Sequence, residues 1–427
     1  MNPRLIQFMK ISLPTTFICI SLAACAGESY ADNENLGSKS EKSTVTNGSP
    51  TATSNTATNT QPNAKVLNFS DIISKDNLSF DKLDQEKITA TQKYDNAKHR
   101  PIIISKHGQV IKNKVIYAGK DNNCGLNING YNNVTISNVT IYHANNGVCA
   151  YNAKHLRINN LKLVSLAAPT TGPHCPRTSS DNLVTAECWG QKRTPSGSRL
   201  GVLLENSSDA VITGLSTFQA SSGIYAVSSP KAKLSNVRCF DMRGPFPRGQ
   251  CVQFNRSSDS SLTTFYTKNY EDKSHSEDNI NAYESDNIII RNGLIDGNWS
   301  QHGVGVIADT GSDNMLVENV DLMHISNAAV SVYSYDTNAI GLNFKAQKIR
   351  IKDSQCDSRQ STKPSSGGLM LAAHPQARNP TFNNIKWYNH CRSHVNWCLP
   401  GQSCRQNNTG SATNIIEESF TTRWTNE

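Results

Sequence analysis

Between positions 248 and 302 the chain sets out the groups that proton transfer requires. A base must take the proton, a carboxylate must orient the base, a cation or amide must hold the developing negative charge, and an acid must serve the departing oxygen. His302 beside Asp278 suits the base and its orienting partner, with Glu277 adjoining, and Arg248 or Gln250 suits the anion. Paired carboxylates drawn from Glu277, Asp278, Asp296 and Asp309 suit a different chemistry, hydrolysis of a glycosidic bond. Trp299 could stack on a sugar ring, and Arg243 and Arg248 flank a proline-rich loop placed to line the same groove. The acidic residues would equally serve as turn formers, since Asp and Asn satisfy backbone donors at corners.

These groups meet only if the chain folds as stacked coils. Short β-branched runs recur with Asn-rich turns between them, as in Asn133-Val134-Thr135-Ile136-Ser137-Asn138-Val139-Thr140-Ile141 and Asn287-Ile288-Ile289-Ile290-Arg291-Asn292-Gly293-Leu294-Ile295. Alternating apolar and polar residues make each run a strand with one buried face. A small residue followed by an apolar one marks each unit: Gly201-Val202, Gly223-Ile224, Cys251-Val252, Asn279-Ile280, Gly303-Val304 and Ala328-Ala329, at intervals of 22 to 28 residues. That period is a solenoid's. Units of two or three β-rich segments, without helical periodicity or a fixed leucine framework, predict an all-β fold, the right-handed parallel β-helix. Coils about 4.8 Å apart turn equivalent positions into ladders. Aligning Val252, Ile280, Val304 and Ala329 puts Gln250, Asp278, His302 and Asn327 in one column, with Glu277 one position earlier and Arg248 one earlier still.

One β-helix domain is therefore expected over 66–427, with a loop over 167–200 standing out where a coil is overlong. A less regular N-terminal cap precedes the coils, and a loop-rich C-terminal cap begins at about Cys356. The run Gly244-Pro245-Phe246-Pro247-Arg248-Gly249-Gln250-Cys251-Val252-Gln253-Phe254, with Glu277-Asp278-Asn279-Ile280-Asn281-Ala282-Tyr283 and Gly303-Val304-Gly305-Val306-Ile307-Ala308-Asp309, resembles exported β-helix proteins of the pectate-lyase-like superfamily over residues 100 to 350. The resemblance implies that fold and an extracellular polysaccharide as partner. The superfamily includes polysaccharide lyases, polygalacturonase-type hydrolases, uronate epimerases and phage tailspikes. Three classes stay open: a lyase or uronate epimerase acting on an anionic polysaccharide, the first choice; a glycoside hydrolase; and a non-catalytic envelope protein that binds polysaccharide. Calcium of the lyase kind needs several converging carboxylates, and no loop has the spacing of a Ca²⁺ site. No cofactor is called for, with Ca²⁺ the one ion left open, and no metal ligand is assigned.

The ends speak to location. Arg4 and Lys10 flank a short apolar stretch that closes on Leu22-Ala23-Ala24-Cys25, which looks like the lipobox of bacterial lipoproteins. Residues 1–25 are read as a signal peptide, Cys25 as the palmitoylated first residue of the mature chain, and 26–65, rich in Ser, Thr, Asn and Gly, as a disordered tether. Ala26 after the cysteine favours the outer membrane of a Gram-negative host, with the membrane reached through the lipid anchor alone. Of 12 cysteines, ten remain beyond the signal, an even number that in an exported chain reads as disulfides. Proximity suggests Cys124 with Cys149, Cys175 with Cys188, and Cys239 with Cys251. A metal site around His390, Cys391, His394, Cys398 and Cys404 matches no zinc spacing. The formal net charge of +8, two of whose cations leave with the signal, fits an anionic polymer. No phosphate-binding glycine loop, nucleotide fingerprint or nucleophile elbow is apparent, and the expected partner is the polysaccharide, not a nucleic acid. The protein is expected to be a monomer.

Overall fold

The computed structural model describes residues 80–166, 199–244, 248–270, 274, 276–298, 303–325, 328–333, 341–352, 369–373, 377, 379–388, 396–397 and 412–415. The chain divides at Pro62 and Asn63, and every described residue belongs to the part from Asn63 to Glu427. Cys25, the tether, most of the 167–200 loop, Trp299, His302, Cys175, Cys188 and the cysteines from Cys356 onward lie outside the described residues.

Two all-parallel sheets run the length of the fold, alternate strands of the chain entering each in turn. This is the right-handed parallel β-helix that the period predicts. The first sheet includes Cys124–Asn129, Asn146–Tyr151, Val202–Glu205, Ile224–Val227, Val252–Asn255, Asp278–Tyr283, Val304–Asp309 and Ala328–Tyr333. Its inward residues form one aliphatic column: Leu126, Val148, Val202, Ile224, Val252, Ile280, Val306 and Val330 are partners in register, and all belong to the core. The second sheet holds longer strands such as Thr135–His143, Lys233–Phe240 and Ile289–Asn298. The parallel pairing continues past Cys356 through Leu369–Ala373, Ile385–Tyr388 and Ala412–Ile415, so coils persist where the sequence loses its period.

Asn is frequent in this chain because the corners need a left-handed backbone. Asn138, Asn160, Asn236, Asn292 and Asn319 all adopt φ between 52° and 58°, a region Asn tolerates better than branched residues. Their side chains then bond from coil to coil: the amide of Asn160 donates to Asn138 at 2.9 Å and that of Asn319 to Asn292 at 2.8 Å. At another corner a buried serine column links coils. The backbone N–H of Ser207, Ser229 and Ser257 each donates to the Oγ of the next serine, Ser229, Ser257 and Ser285, at 2.9 Å.

Two of the expected disulfides are present, Cys124 with Cys149 and Cys239 with Cys251. Peptide mapping without reduction is expected to recover both linked pairs; recovery of Cys239 or Cys251 alkylated as a free thiol would contradict the fold.

The N-terminal segment expected as a cap contains a helix, α1 (Phe80–Tyr94), that lies against the second sheet. Leu83, Lys87, Ala90 and Tyr94 recur at helical spacing on one stripe. Leu83, Ala90 and Tyr94 pack with Tyr117, Tyr142, Val164 and Phe218 from four successive strands of the second sheet. Lys87 sits in that apolar stripe, its amine donating to Gln219 Oε1. Burial, and then the neighbouring Arg243 guanidinium, push its pKa down to about 8.

Between pH 8 and the ordinary lysine value the unfolded chain binds more protons than the folded one, so stability rises with pH in that window and is flat with respect to Lys87 below it. Tyr142 is shifted upward by burial and by Glu86, so its opposing contribution begins only where tyrosine normally ionises. Denaturant melts are expected to show a gain on the order of 2 kcal/mol from pH 8 to 10. Lys87→Met should flatten that rise; an unchanged slope in the variant would refute the assignment.

Candidate functional site

The site is built on the outer face of the first sheet. Val252 and Phe254, Ile280 and Ala282, and Val306 and Ala308 face the core, so the residues alternating with them face outward. The register aligns Tyr225, Gln253, Asn281 and Ile307 in one outer column and Asn255, Tyr283 and Asp309 in the next. Asp278, at the start of its strand, pairs with Val304, which belongs with Ile307 and Ala328 to a small apolar cluster separate from the core.

Asn281 is the centre of this face. Its Nδ2 donates to Asp278 Oδ2 at 2.9 Å and lies 3.5 Å from Asp309 Oδ2. The other oxygen of Asp278 accepts from the Val304 N–H at 3.0 Å, and that of Asp309 from the Thr310 hydroxyl at 3.0 Å. Asp278, Asn281 and Asp309 are 3%, 2% and 4% exposed. Burial, opposed only in part by these hydrogen bonds, raises Asp278 to about 7 and Asp309 to about 6. Two carboxyls within reach of one amide thus exchange protons near neutrality, as acid–base chemistry at an ether oxygen requires.

The other expected residues disperse. Arg248 is partly exposed, its guanidinium carbon 4.6 Å from the centre of the Tyr225 ring. Gln250 is fully buried between coils, accepting from Ser222 at 3.0 Å and donating to Glu277 Oε2 at 2.8 Å. Glu277 is therefore turned toward Gln250. Arg243 is also fully buried, ion-paired with Asp241 at 2.8 Å. Neither Gln250 nor Arg243 lines a groove. Asp296 is held by Lys268 and, at 2.6 Å, by His324 Nδ1 at the end of the second sheet; these partners keep its carboxyl below the usual range despite burial.

The expected column needs two corrections, and one is Ala329, which is a residue off because Val306 pairs with Val330. Ile280 pairs with Val306, not Val304, so Asp278 lies opposite Val304 and the register does not place His302 beside it. A small residue followed by an apolar one recurs twice within Gly303-Val304-Gly305-Val306, and the first copy is the wrong marker. Asp309 was already among the expected carboxylates, and Asn281 was findable from the same period of two once the correct copy was chosen. Among the described residues no three His, Cys, Asp or Glu side chains converge as metal ligands.

No family model and no curated protein matches the chain. Among solved structures, it is similar to the catalytic domain of a GH87 α-1,3-glucanase in complex with tetrasaccharides, at 13% identity and TM-score 0.45 over 74% of this chain and 56% of that one. It is also similar to an alginate lyase from Paenibacillus, at 14% and 0.39 over 67% and 88%, and to PfbA, a surface adhesin of Streptococcus pneumoniae, at 11% and 0.41 over 68% and 70%. The chain spans about half the length of the glucanase domain. Likeness this distant says nothing of chemistry.

Proposed function

We propose that the protein is an exported carbohydrate-active enzyme that hydrolyses glycosidic bonds in a polysaccharide laid along the outer face of the first sheet. Asp278 is the general acid and Asp309 the ionised partner. The observation that carries this reading is the pair of buried carboxyls on Asn281, with pKa values raised to about 7 and about 6. An acid that keeps its proton near neutrality can protonate a leaving oxygen, and a carboxylate beside it can activate water or attack the sugar. Strands about 4.8 Å apart advance at close to the pitch of a sugar chain, so a polymer lying across them meets equivalent positions in successive coils.

A second reading, β-elimination or epimerisation in an anionic polymer, is supported by Arg248 over Tyr225, a planar cation suited to a uronate carboxylate. Incubation with pectate, alginate, glucans and the host's own exopolysaccharide separates the two. New reducing ends without ultraviolet absorbance are expected; absorbance from unsaturated uronate would mean elimination, and binding without either product would mean a non-catalytic role.

The Leu-Ala-Ala-Cys box would place the enzyme on the outer membrane through an acylated Cys25. Cys25→Ser is expected to abolish labelling by radioactive palmitate and release the protein from membranes; unchanged labelling would refute the anchor.

A further inference from the structure

On the reading that the outer face of the first sheet is the substrate face, we propose that the subsite over Gln253, Asn281, Asp278 and Asp309 takes a sugar unit bearing only hydrogen-bond donors and acceptors without charge or with an ammonium, a neutral or amino sugar, and rejects a uronate. Asn281 turns its Nδ2 to the carboxyls, and its Oδ1 is buried with no hydrogen-bond partner. Gln253, directly opposite Asn281 in register, is 7% exposed, and its Oε1 likewise has no partner. Buried acceptors without a donor are rare in folded proteins because each forfeits its bond to water. Here two adjoin on one column, beside two carboxyls that are themselves acceptors when ionised. What the surface asks for is hydrogens.

Sugar hydroxyls and a sugar ammonium supply them. A uronate carboxylate supplies none and brings a negative charge against Asp309 and Asp278. Two like charges about 4 Å apart at an effective dielectric near 20 disfavour binding by roughly three orders of magnitude, and with protons partly shared in the pair at least about 100-fold is expected to survive. Among the described residues, the cations Arg248 and Arg256 lie on this side, and neither is turned to the carboxyls. Arg248 turns its guanidinium over the ring of Tyr225, whose strand lies two strand spacings, about 10 Å, from that of Asn281, and Arg256 is held by Glu284 at 2.9 Å. A polymer with an acidic unit over Arg248 and a non-acidic unit at the carboxyls fits both ends of the face.

The test reads binding rather than cleavage. The full chain in detergent, with EDTA at pH 7, is titrated calorimetrically with hexaglucosamine, with neutral glucan hexamers of α and β linkage, and with hexagalacturonate. Hexagalacturonate is expected to bind at least about 100-fold more weakly than the best of the others. In an Asp278→Asn, Asp309→Asn double variant the gap should shrink to about tenfold or less. The ordering in the parent needs no variant, so a misfolded variant does not rescue the idea. Hexagalacturonate binding as tightly as the others would overturn it. So would absence of binding by every probe at millimolar concentration, or uronate binding that appears on adding Ca²⁺, which would make the orphan oxygens a cation site. Correct ordering without reducing ends would sink hydrolysis and leave this inference standing; hydrolysis of polygalacturonate would do the reverse.

Discussion

Asp278→Asn is expected to cut glycosidic turnover by about 10³-fold, within the range for loss of a positioned acid, while circular dichroism and melting temperature stay close to those of the parent. The amide keeps the shape of the carboxyl, its oxygen can still accept the Val304 N–H, and its nitrogen can donate to Asn281 Oδ1, which has no partner, once the Asn281 amide turns over. What it cannot do is hold a proton for a leaving oxygen. Little stability is at stake because a carboxyl whose pKa is raised by burial is costly to ionise there, and the amide removes that cost. The pH profile gives a second reading of the same roles. Asp278 acts while protonated, so kcat/KM should fall as pH rises above about 7; Asp309 acts while ionised, so it should fall as pH drops below about 6. A bell with its top between those values is expected in the parent, and the two limbs belong to the pair as a unit. Retention of more than half of the activity by Asp278→Asn, or an optimum outside the span from about 5 to about 8, would remove the pair from the chemistry.

The fold was legible from the chain because a β-helix writes its coil length directly into the spacing of its apolar strands. The intervals Val202 to Ile224, Ile224 to Val252 and Val252 to Ile280 are the observed pairings. The failure came one coil later, where two equivalent small-apolar pairs stand in a row and a shift of two residues keeps every side chain on its own face. Periodicity cannot detect such a slip, since inward residues remain inward. Arg243 and Gln250 were misplaced for another reason. Charged and amide side chains are usually exposed, and nothing local announces that Asp241, or Ser222 and Glu277, will satisfy them inside. The Cys239 and Cys251 pairing was legible because 12 residues separate them along one coil. The flanking helix was not, since Lys87 interrupts its apolar stripe and weakens the helical signal.

Asp241→Asn is expected to destabilise the fold by about 3 kcal/mol, the cost of withdrawing one charge from a buried ion pair. Asn is the right probe because Asp241 adopts φ of 60°, a conformation that Asn accepts and Ala would strain. Arg243 is fully buried and its partner nearly so, hence solvent cannot take over the role of the lost carboxylate. The consequence should reach α1, because Lys87 is depressed by Arg243 and supported by Asp241. Without the aspartate charge its pKa drops below 8, and the window in which stability rises with pH opens at a lower pH. Arg243→Met in the Asp241→Asn background should recover most of the loss, because an apolar chain of similar length fills the site without a charge to solvate. Denaturant melts of the two single variants and the double variant give the coupling directly. The double variant should also bind polysaccharide as the parent does, which separates a structural ion pair from a groove residue. If it is as stable as the parent yet loses affinity for the polymer, Arg243 contacts substrate, and its burial against Asp241 is not the arrangement that binds.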